Sequence, residues 1–311
     1  MNFEDVTVLL PALNEEAAIQ STIHEVINFL PGCRILVVDN GSDDRTVEFA
    51  RALGAEIFRE PQRGKGFAVR RGFRELDSNC RIVLLVDADD TYDLSNAPSS
   101  IQMIREYGYG MIVGTRIVDG ITHTGRKETF KFGHTFGNRA LSLISKILAP
   151  TGIKDSLSGW RVMSREFINS FNSTAAGFEI EAELNSHAHL LHCSIANTDV
   201  RYRGRSINSD SKLKTYSDGL KILNRNLALF RSNRPQLAFN VLALPWLAVS
   251  IWLNFRALQN FLETGLLEQF PSLIAGVGTF LVAGMFWMCG IILERIKLMR
   301  VEIAQSFYRG L

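Results

Sequence analysis

RIVLLVDADDTYDLS, residues 81–95, is the stretch on which the reading of the fold turns. An apolar run stops at Asp87, and Asp89, Asp90 and Asp93 follow at once. A short continuous apolar run bounded by turn-forming residues reads as a strand buried on both faces. Four carboxylates so close together repel one another unless a countercharge lies near. The turn after this strand is therefore expected to hold something positive.

The same punctuation recurs on both sides. VTVLLPAL (6–13) reads as a buried strand stopped by Pro11. NEEAAIQSTIHEVINFL (14–30) reads as a helix, with Asn14 at the N-cap and Ile19, Ile23, Val26, Ile27 and Leu30 on one face. RILVVDNGS (34–42) is a strand ending in a turn, and DDRTVEFARALG (43–54) is a helix closed by Gly54. AEIFREP is a short strand, GKGFAVRRGFREL (64–76) a glycine-led helix, LSNAPSSIQMIREYG a helix and GMIVGTR (110–116) a strand. Strands alternating with helices predict right-handed crossovers and a mostly parallel α/β sheet of Rossmann-like type. Ligands on such sheets bind at the carboxyl ends of strands. Asp39, Asp87 and Arg116 each fall at such an end.

After residue 116 the alternation loosens. A polar, basic loop (119–133) leads to an amphipathic helix around 134–148, and DSLSGWRVMSREFI (155–168) and GFEIEAELNSHAHLL (177–191) follow. The segment 217–231 places Leu220, Leu223, Leu227 and Phe230 on one face, with Lys221, Arg225 and Arg231 off it. That pattern suits a helix lying in a membrane interface.

The last quarter is different in kind. Between Arg234 and Arg256 lie 21 residues without a charge, and between Glu268 and Glu294 lie 25. About 20 apolar residues span a bilayer as a helix. Spans of about 236–255 and 271–293 are expected, within a hairpin segment 235–311 that follows a domain 1–216 and an interfacial helix 217–234. Lys221, Arg225, Arg231 and Arg234 precede the first span, and Arg295, Lys297, Arg300 and Arg309 follow the second. The positive-inside rule then puts both ends and the main domain in the cytoplasm. The N-terminus lacks a basic segment followed by a long apolar run, so no cleavable signal is expected.

With 311 residues the chain can build a sizeable core, and a net charge of +2 gives no bulk support for nucleic-acid binding. Cys33, Cys80, Cys193 and Cys289 are far apart and form no CxxC pair, which argues against a zinc site or a disulfide framework. His187, His189 and His192 lack the i, i+4 spacing of a zinc helix. No GxSxG or Cys–His arrangement points to a covalent acyl intermediate.

Asp87 and Asp89 form a DxD at a strand end. Residues two apart on a strand face the same way, so both carboxylates are expected to converge on one ion. Hard oxygen donors suit Mg²⁺ or Mn²⁺, which also bind diphosphate oxygens. Asp39 suits a hydrogen bond to a base or ribose, and Pro11, Asn14 and Glu15 end the neighbouring strand beside it. Lys65 stands between two glycines at a helix start, where backbone amides attract phosphate. Arg116, Arg126, Lys127, Arg139, Arg205 and Lys212 form a basic set of the kind that grips phosphates.

LLPALNEE, VVDNGSDDRT, RGKGFAVRRGF, VDADDTYD, VGTR, DSLSGWRVMSRE, GFEIEAEL and YRGRSINSDSKLKTYSDGLKIL, in this order, resemble family-2 glycosyltransferases. They look most like the dolichyl-phosphate and polyprenyl-phosphate sugar transferases, over about residues 5–225, and the hairpin resembles that of membrane-anchored bacterial and archaeal members. The resemblance implies a GT-A nucleotide-diphospho-sugar transferase fold. It implies that Pro11, Asn14, Glu15 and Asp39 line the nucleotide pocket and that Asp87 and Asp89 hold the metal and diphosphate. It places Asp155, Ser158, Gly159 and Arg161 near sugar and acceptor, with Trp160 where the family has Phe, and sets Arg205, Ser211 and Lys212 against phosphate. Asp89, Asp155, Arg205 and Lys212 are then the expected catalytic set, and Arg126 a further grip on the lipid headgroup. The QxxRW motif of processive synthases is missing, which argues against polysaccharide extension. The implied reaction moves a sugar, with inversion, from a UDP- or GDP-sugar (UDP-glucose is favoured by general resemblance) to a polyprenyl phosphate at the membrane. Two alternatives stay open: transfer to a glycan or glycolipid, and a non-catalytic scaffold that binds a sugar nucleotide. Self-association through the hairpin is left undecided by the sequence.

Overall fold

The structure, a computed structural model, describes residues 2–117, 152–203, 231 and 234–309. The expected helix at 134–148, the interfacial helix at 217–231, and Arg126, Lys127, Arg139, Arg205, Ser211 and Lys212 lie outside the described residues, apart from Arg231 itself.

A sheet of seven strands forms the first unit: β1 Val6–Ala12, β2 Arg34–Asp39, β3 Glu56–Arg59, β4 Ile82–Leu85, β5 Met111–Ile117, β6 Arg161–Ser164 and β7 Ile195–Arg201. The spatial order is β3-β2-β1-β4-β6-β5-β7. β1, β2, β3 and β4 run parallel, β6 runs antiparallel to both β4 and β5, and β5 pairs with β7 in parallel. The sheet is thus mixed, mostly parallel, with one reversed strand in its middle. Neither β6 nor β7 follows from the sequence pattern. β6 is only four residues long, too short to show a period, and β7, IANTDVR, alternates weakly because most of it is only half-buried.

Among the described residues six helices cover the two faces: α1 Ile19–Phe29, α2 Thr46–Ala52, α3 Lys65–Arg74, α4 Ala97–Tyr107, α5 Arg165–Ser170 and α6 Ile180–Leu191. The alternation of side chains along β1 divides the core. Val6, Val8, Leu10 and Ala12 pack with Ile19, Ile23 and Val26 of α1 and with Ile101 and Ile104 of α4. Leu9 instead joins Ala68 and Val69 of α3, Phe167 of α5, and Ile180 and Leu184 of α6. Near the C-terminus, Ala304 and Tyr308 also pack on this second cluster. His187 accepts or donates a 2.9 Å hydrogen bond with the Ser170 hydroxyl and lies edge-on to Phe167 and Phe171, so it is a packed helix residue. Burial pushes its pKa down to about 4.

α3 lies so close to β1 that a Cβ on Gly72 would stand 2.3 Å from Leu9 Cδ1. Gly72→Ala is expected to destabilise the domain by about 1–3 kcal/mol through overpacking, although alanine favours helix in isolation. A lower midpoint in thermal unfolding checks this; an unchanged midpoint would show that Leu9 repacks freely.

Two sequence-based boundaries shift. α1 starts at Ile19 rather than at Asn14, and Pro11 sits inside β1 instead of ending it. Pairing between β1 and β4 ends at Leu9↔Leu85, so the missing N–H of Pro11 costs that side of the sheet no ladder bond.

The second unit, Leu227–Ile303, consists chiefly of two long helices, α7 Pro235–Thr264 and most of α8 Phe270–Arg309. Their most apolar 18-residue stretches have mean hydropathies of 1.6 and 2.0, and both helices are long and apolar enough to cross a membrane. Within the unit, the Ser250 hydroxyl donates to the Gly276 carbonyl at 2.8 Å, and a Cβ on Gly276 would lie 2.5 Å from Asn254 Nδ2. Small residues and interhelical hydrogen bonds are the expected glue between helices in lipid. Leu244, Ile251, Trp252, Phe255, Leu281 and Met285 point outward and are exposed, as lipid-facing side chains should be.

Candidate active site

Because β6 runs against its neighbours, its start lies at the edge where β1, β2, β4, β5 and β7 end. That edge collects Asn14 and Glu15 after β1, Asp39 closing β2, Asp87 and Asp89 after β4, Arg116 near the end of β5, Asp155–Trp160 before β6 and Tyr202–Arg203 after β7.

One end of this row is a set of loops tied by side-chain–backbone bonds. Asn14 takes a left-handed conformation (φ 51°), so it caps no helix. Its backbone N–H donates to Ser42 Oγ at 2.9 Å, and its Oδ1 accepts from the Asp43 N–H at 2.8 Å. The Glu15 N–H donates to Thr46 Oγ1 at 2.7 Å. Asp39 is buried and its Oδ1 accepts from the Ser42 N–H at 2.9 Å. Asn40 donates to the carbonyls of Glu60 and Gln62 and accepts from the Gly64 N–H at 2.6 Å. Gly64 has φ 141°, and a Cβ there would fall 2.1 Å from the Ala176 carbonyl oxygen, so only glycine fits.

The acidic turn differs from its expected geometry. β4 ends at Leu85, so strand alternation does not align Asp87 with Asp89. Asp87 is placed by a different device. Its Oδ1 lies 2.5 Å from Lys65 Nζ, which lies 2.7 Å from Glu181 Oε1. On its other side a Cβ on Gly159 would come within 2.4 Å of Asp87 Oδ2. Burial by itself would lower the Lys65 pKa, but the two carboxylates raise it, so the ammonium stays charged. Burial raises the Glu181 pKa, and Lys65 opposes that shift. Asp89 is buried and its Oδ1 accepts from the Thr91 hydroxyl at 2.6 Å.

Asp90 and Asp93, which have no assigned chemistry in the sequence, meet Arg203. Its guanidinium lies 3.2 Å from Asp90 Oδ1 and 3.0 Å from Asp93 Oδ2, and it also pairs with Glu25. The backbone joins the same segments: Asp93 N–H donates to the Arg201 carbonyl and Arg203 N–H to the Thr91 carbonyl. Arg203 therefore clasps the acidic turn to the chain after β7. Burial would raise the Asp93 pKa, but hydrogen bonds from Ser95 and, after them, Arg203 hold its carboxyl below the usual range.

Arg116 and Asp155 form a bidentate pair, Nε–Oδ2 2.6 Å and Nη2–Oδ1 2.9 Å. Burial would raise the Asp155 pKa, but Arg116 brings it below the ordinary value. The Arg116 guanidinium sits 5.5 Å from the Tyr202 ring, and Tyr202 meets Tyr92 edge-on. The Tyr92 hydroxyl accepts the Gly159 N–H at 2.9 Å. Ser158 is buried and caps the turn, its Oγ accepting from the Trp160 N–H. Trp160 is fully buried, in contact distance of where a Gly114 Cβ would stand.

Arg161, expected near sugar and acceptor, lies beneath the turn that precedes β6. It is fully buried, donating to Asn185 Oδ1 at 2.6 Å and to the carbonyls of Ser158 and Ser156. Burial pushes its pKa down to about 10. Its role in this geometry is to brace the turn that carries Asp155 and Gly159.

Glu181, Tyr92, Tyr202 and Arg203 are the site residues that sequence reasoning missed. Glu181 had a signal: a carboxylate in the run GFEIEAEL, on a helix that buries most of its residues. Arg203 had none, because its partners are far away in the chain.

Among the described residues no group of three or more His, Cys, Asp or Glu could enclose an ion. Two carboxylates, Asp87 and Asp89, suit an ion that takes its remaining oxygens from a diphosphate and water.

A mixed, mostly parallel α/β sheet with an acidic turn at its carboxyl edge is consistent with the GT-A fold of nucleotide-diphospho-sugar transferases. The glycosyl transferase family 2 model matches residues 7–170, more than half of the chain, and the protein belongs to that family. The chain is 30% identical over 220 residues to the dolichyl-phosphate hexose transferase of Haloferax volcanii, covering 71% of this chain and 91% of that protein. It is 29% identical over 188 residues to the dolichol-phosphate mannosyltransferase of Pyrococcus furiosus, covering 58% of this chain and 51% of that one. Among solved structures, glucosyl-3-phosphoglycerate synthase from Mycobacterium tuberculosis, in complex with Mn²⁺, UDP and glucosyl-3-phosphoglycerate, superimposes with a TM-score of 0.55 at 23% identity, covering 73% and 78% of the two chains. That likeness establishes the fold.

Proposed function

We propose that this glycosyltransferase moves a sugar from a UDP- or GDP-sugar to the phosphate of a polyprenyl lipid at the cytoplasmic face of a membrane, with inversion. The observation that carries the reading is the joint presence of the carboxyl-edge site and two membrane-length helices, in a chain related to named dolichyl-phosphate transferases.

A phosphate monoester has a second pKa of about 6 and is mostly a dianion at neutral pH. Such a nucleophile needs no strong general base. Catalysis then rests on alignment with the sugar C1 and on charge at the leaving diphosphate. Asp87 and Asp89 would hold Mg²⁺ or Mn²⁺, which supplies positive charge to that diphosphate. Asn14, Glu15 and Asp39 line the nucleotide side. The paired Arg116 and Asp155 face the reacting groups, Arg116 toward phosphate and Asp155 toward sugar. Arg126, Arg205, Ser211 and Lys212 complete the phosphate grip, and the basic flanks keep the domain on the cytoplasmic side.

The test incubates membranes containing the full chain with polyprenyl phosphate, Mn²⁺ and a panel of labelled UDP- and GDP-sugars. UDP-glucose is the first donor to try, since the structural relative was solved with UDP and Mn²⁺. A chloroform-soluble, acid-labile product supports the reading; no such product with any donor sinks it. Thermal stabilisation by one nucleotide over the other assigns the base.

A further inference from the structure

Lys65 does not extend toward open space at the start of α3. Its ammonium lies between Asp87, at 2.5 Å, and Glu181, at 2.7 Å, with the Phe178 ring 5.7 Å away. The two carboxylates differ in access. Asp87 keeps 28% of its side chain exposed, whereas Glu181 keeps 4%. Glu181 Oε2 is buried and has no hydrogen-bond partner among the described residues. A divalent cation approaching from solvent reaches Asp87 and not Glu181. Glu181 has the spare acceptor that an ammonium leaving Asp87 requires.

We propose that Lys65 is an internal competitor for the divalent cation at Asp87, and that Glu181 is the positioning residue that keeps Lys65 when the cation takes Asp87. The inference rests on the metal-dependent reading above and adds an order to it. A cation alone has to displace an ammonium from a short, charge-assisted contact. A cation arriving with a nucleotide diphosphate brings anionic oxygens that stabilise both the ion and the released ammonium. Binding of cation and donor is therefore coupled, and cation uptake without a donor is suppressed.

The experiment titrates Mn²⁺ into the purified full chain in detergent and reads free Mn²⁺ by electron paramagnetic resonance, with and without UDP or GDP, after subtracting uptake by nucleotide alone. Lys65→Met is expected to bind Mn²⁺ without nucleotide roughly tenfold or more tightly than the wild type, since one like charge at contact distance is removed. The enhancement by nucleotide should shrink in the same variant. Lys65→Met leaves Glu181 without its ion pair and is at risk of unfolding. The double variant Lys65→Met/Glu181→Gln removes both buried charges and should show the same gain in Mn²⁺ affinity. If both variants melt as folded proteins and bind Mn²⁺ no more tightly than the wild type, the competition is refuted. If the wild type takes up no Mn²⁺ even with either nucleotide, the metal reading itself falls, and the exchange falls with it.

Discussion

Replacing Asp89 by alanine is expected to lower sugar transfer by about 10³-fold or more, the effect of losing several kcal/mol of charge stabilisation at the leaving diphosphate. The fold should survive. Asp89 accepts from the hydroxyl and N–H of Thr91, and losing such buried bonds costs about 1–3 kcal/mol. The two apolar helices contain no part of this turn, so membrane insertion should be unchanged. The measurement is labelled sugar recovered in chloroform, beside the thermal midpoint and membrane fraction of the variant. Full activity in a folded, membrane-bound Asp89→Ala protein would refute a metal role for this residue.

The second large effect comes from a residue with no functional group. In Gly159→Ala the added methyl would stand 2.4 Å from Asp87 Oδ2 and 2.9 Å from Asp87 Cγ. Neither partner can retreat easily. Asp87 is held by Lys65 through Oδ1, and the Gly159 N–H is tied to the Tyr92 hydroxyl. The carboxylate must therefore shift by a sizeable fraction of an ångström, and misplacement on that scale costs about 10²-fold in rate. Gly284→Ala is the matched control. A Cβ at Gly284 meets nothing within 4 Å, so activity should be that of the wild type. Equal activity in Gly159→Ala and Gly284→Ala would mean that the position of Asp87 is not critical to transfer.

These two predictions differ in how far the sequence leads to them. The acidic turn is legible because a buried strand and a DxD are both local patterns, and β1, β2, α1 and α3 are legible for the same reason. The function of Gly159 is not. Its glycine is dictated by the approach of a carboxylate from another loop. The burial of Arg161 has a related cause: Asn185 and the carbonyls of Ser156 and Ser158, distant or on the neighbouring turn, draw it inside. β6 and β7 went unread because a four-residue strand has no period, and because β7 is half-buried along most of its length.

The stretch VDADDTYD draws the same line. By itself the sequence determined that an apolar strand ends in four acids, that strands and helices alternate, and that two apolar helices follow. These are consequences of local patterning and of burial, which each segment carries in its own composition. Only the tertiary structure decided what balances the acids. Lys65 and Glu181 frame Asp87, Thr91 bonds Asp89, and Arg203, 113 residues from Asp90, gathers Asp90, Asp93 and Glu25. Charges distant in sequence interact by their separation in space, and that separation is set by sheet order. The reversed β6 brings Gly159 and Asp155 to this edge, and β7 delivers Arg203.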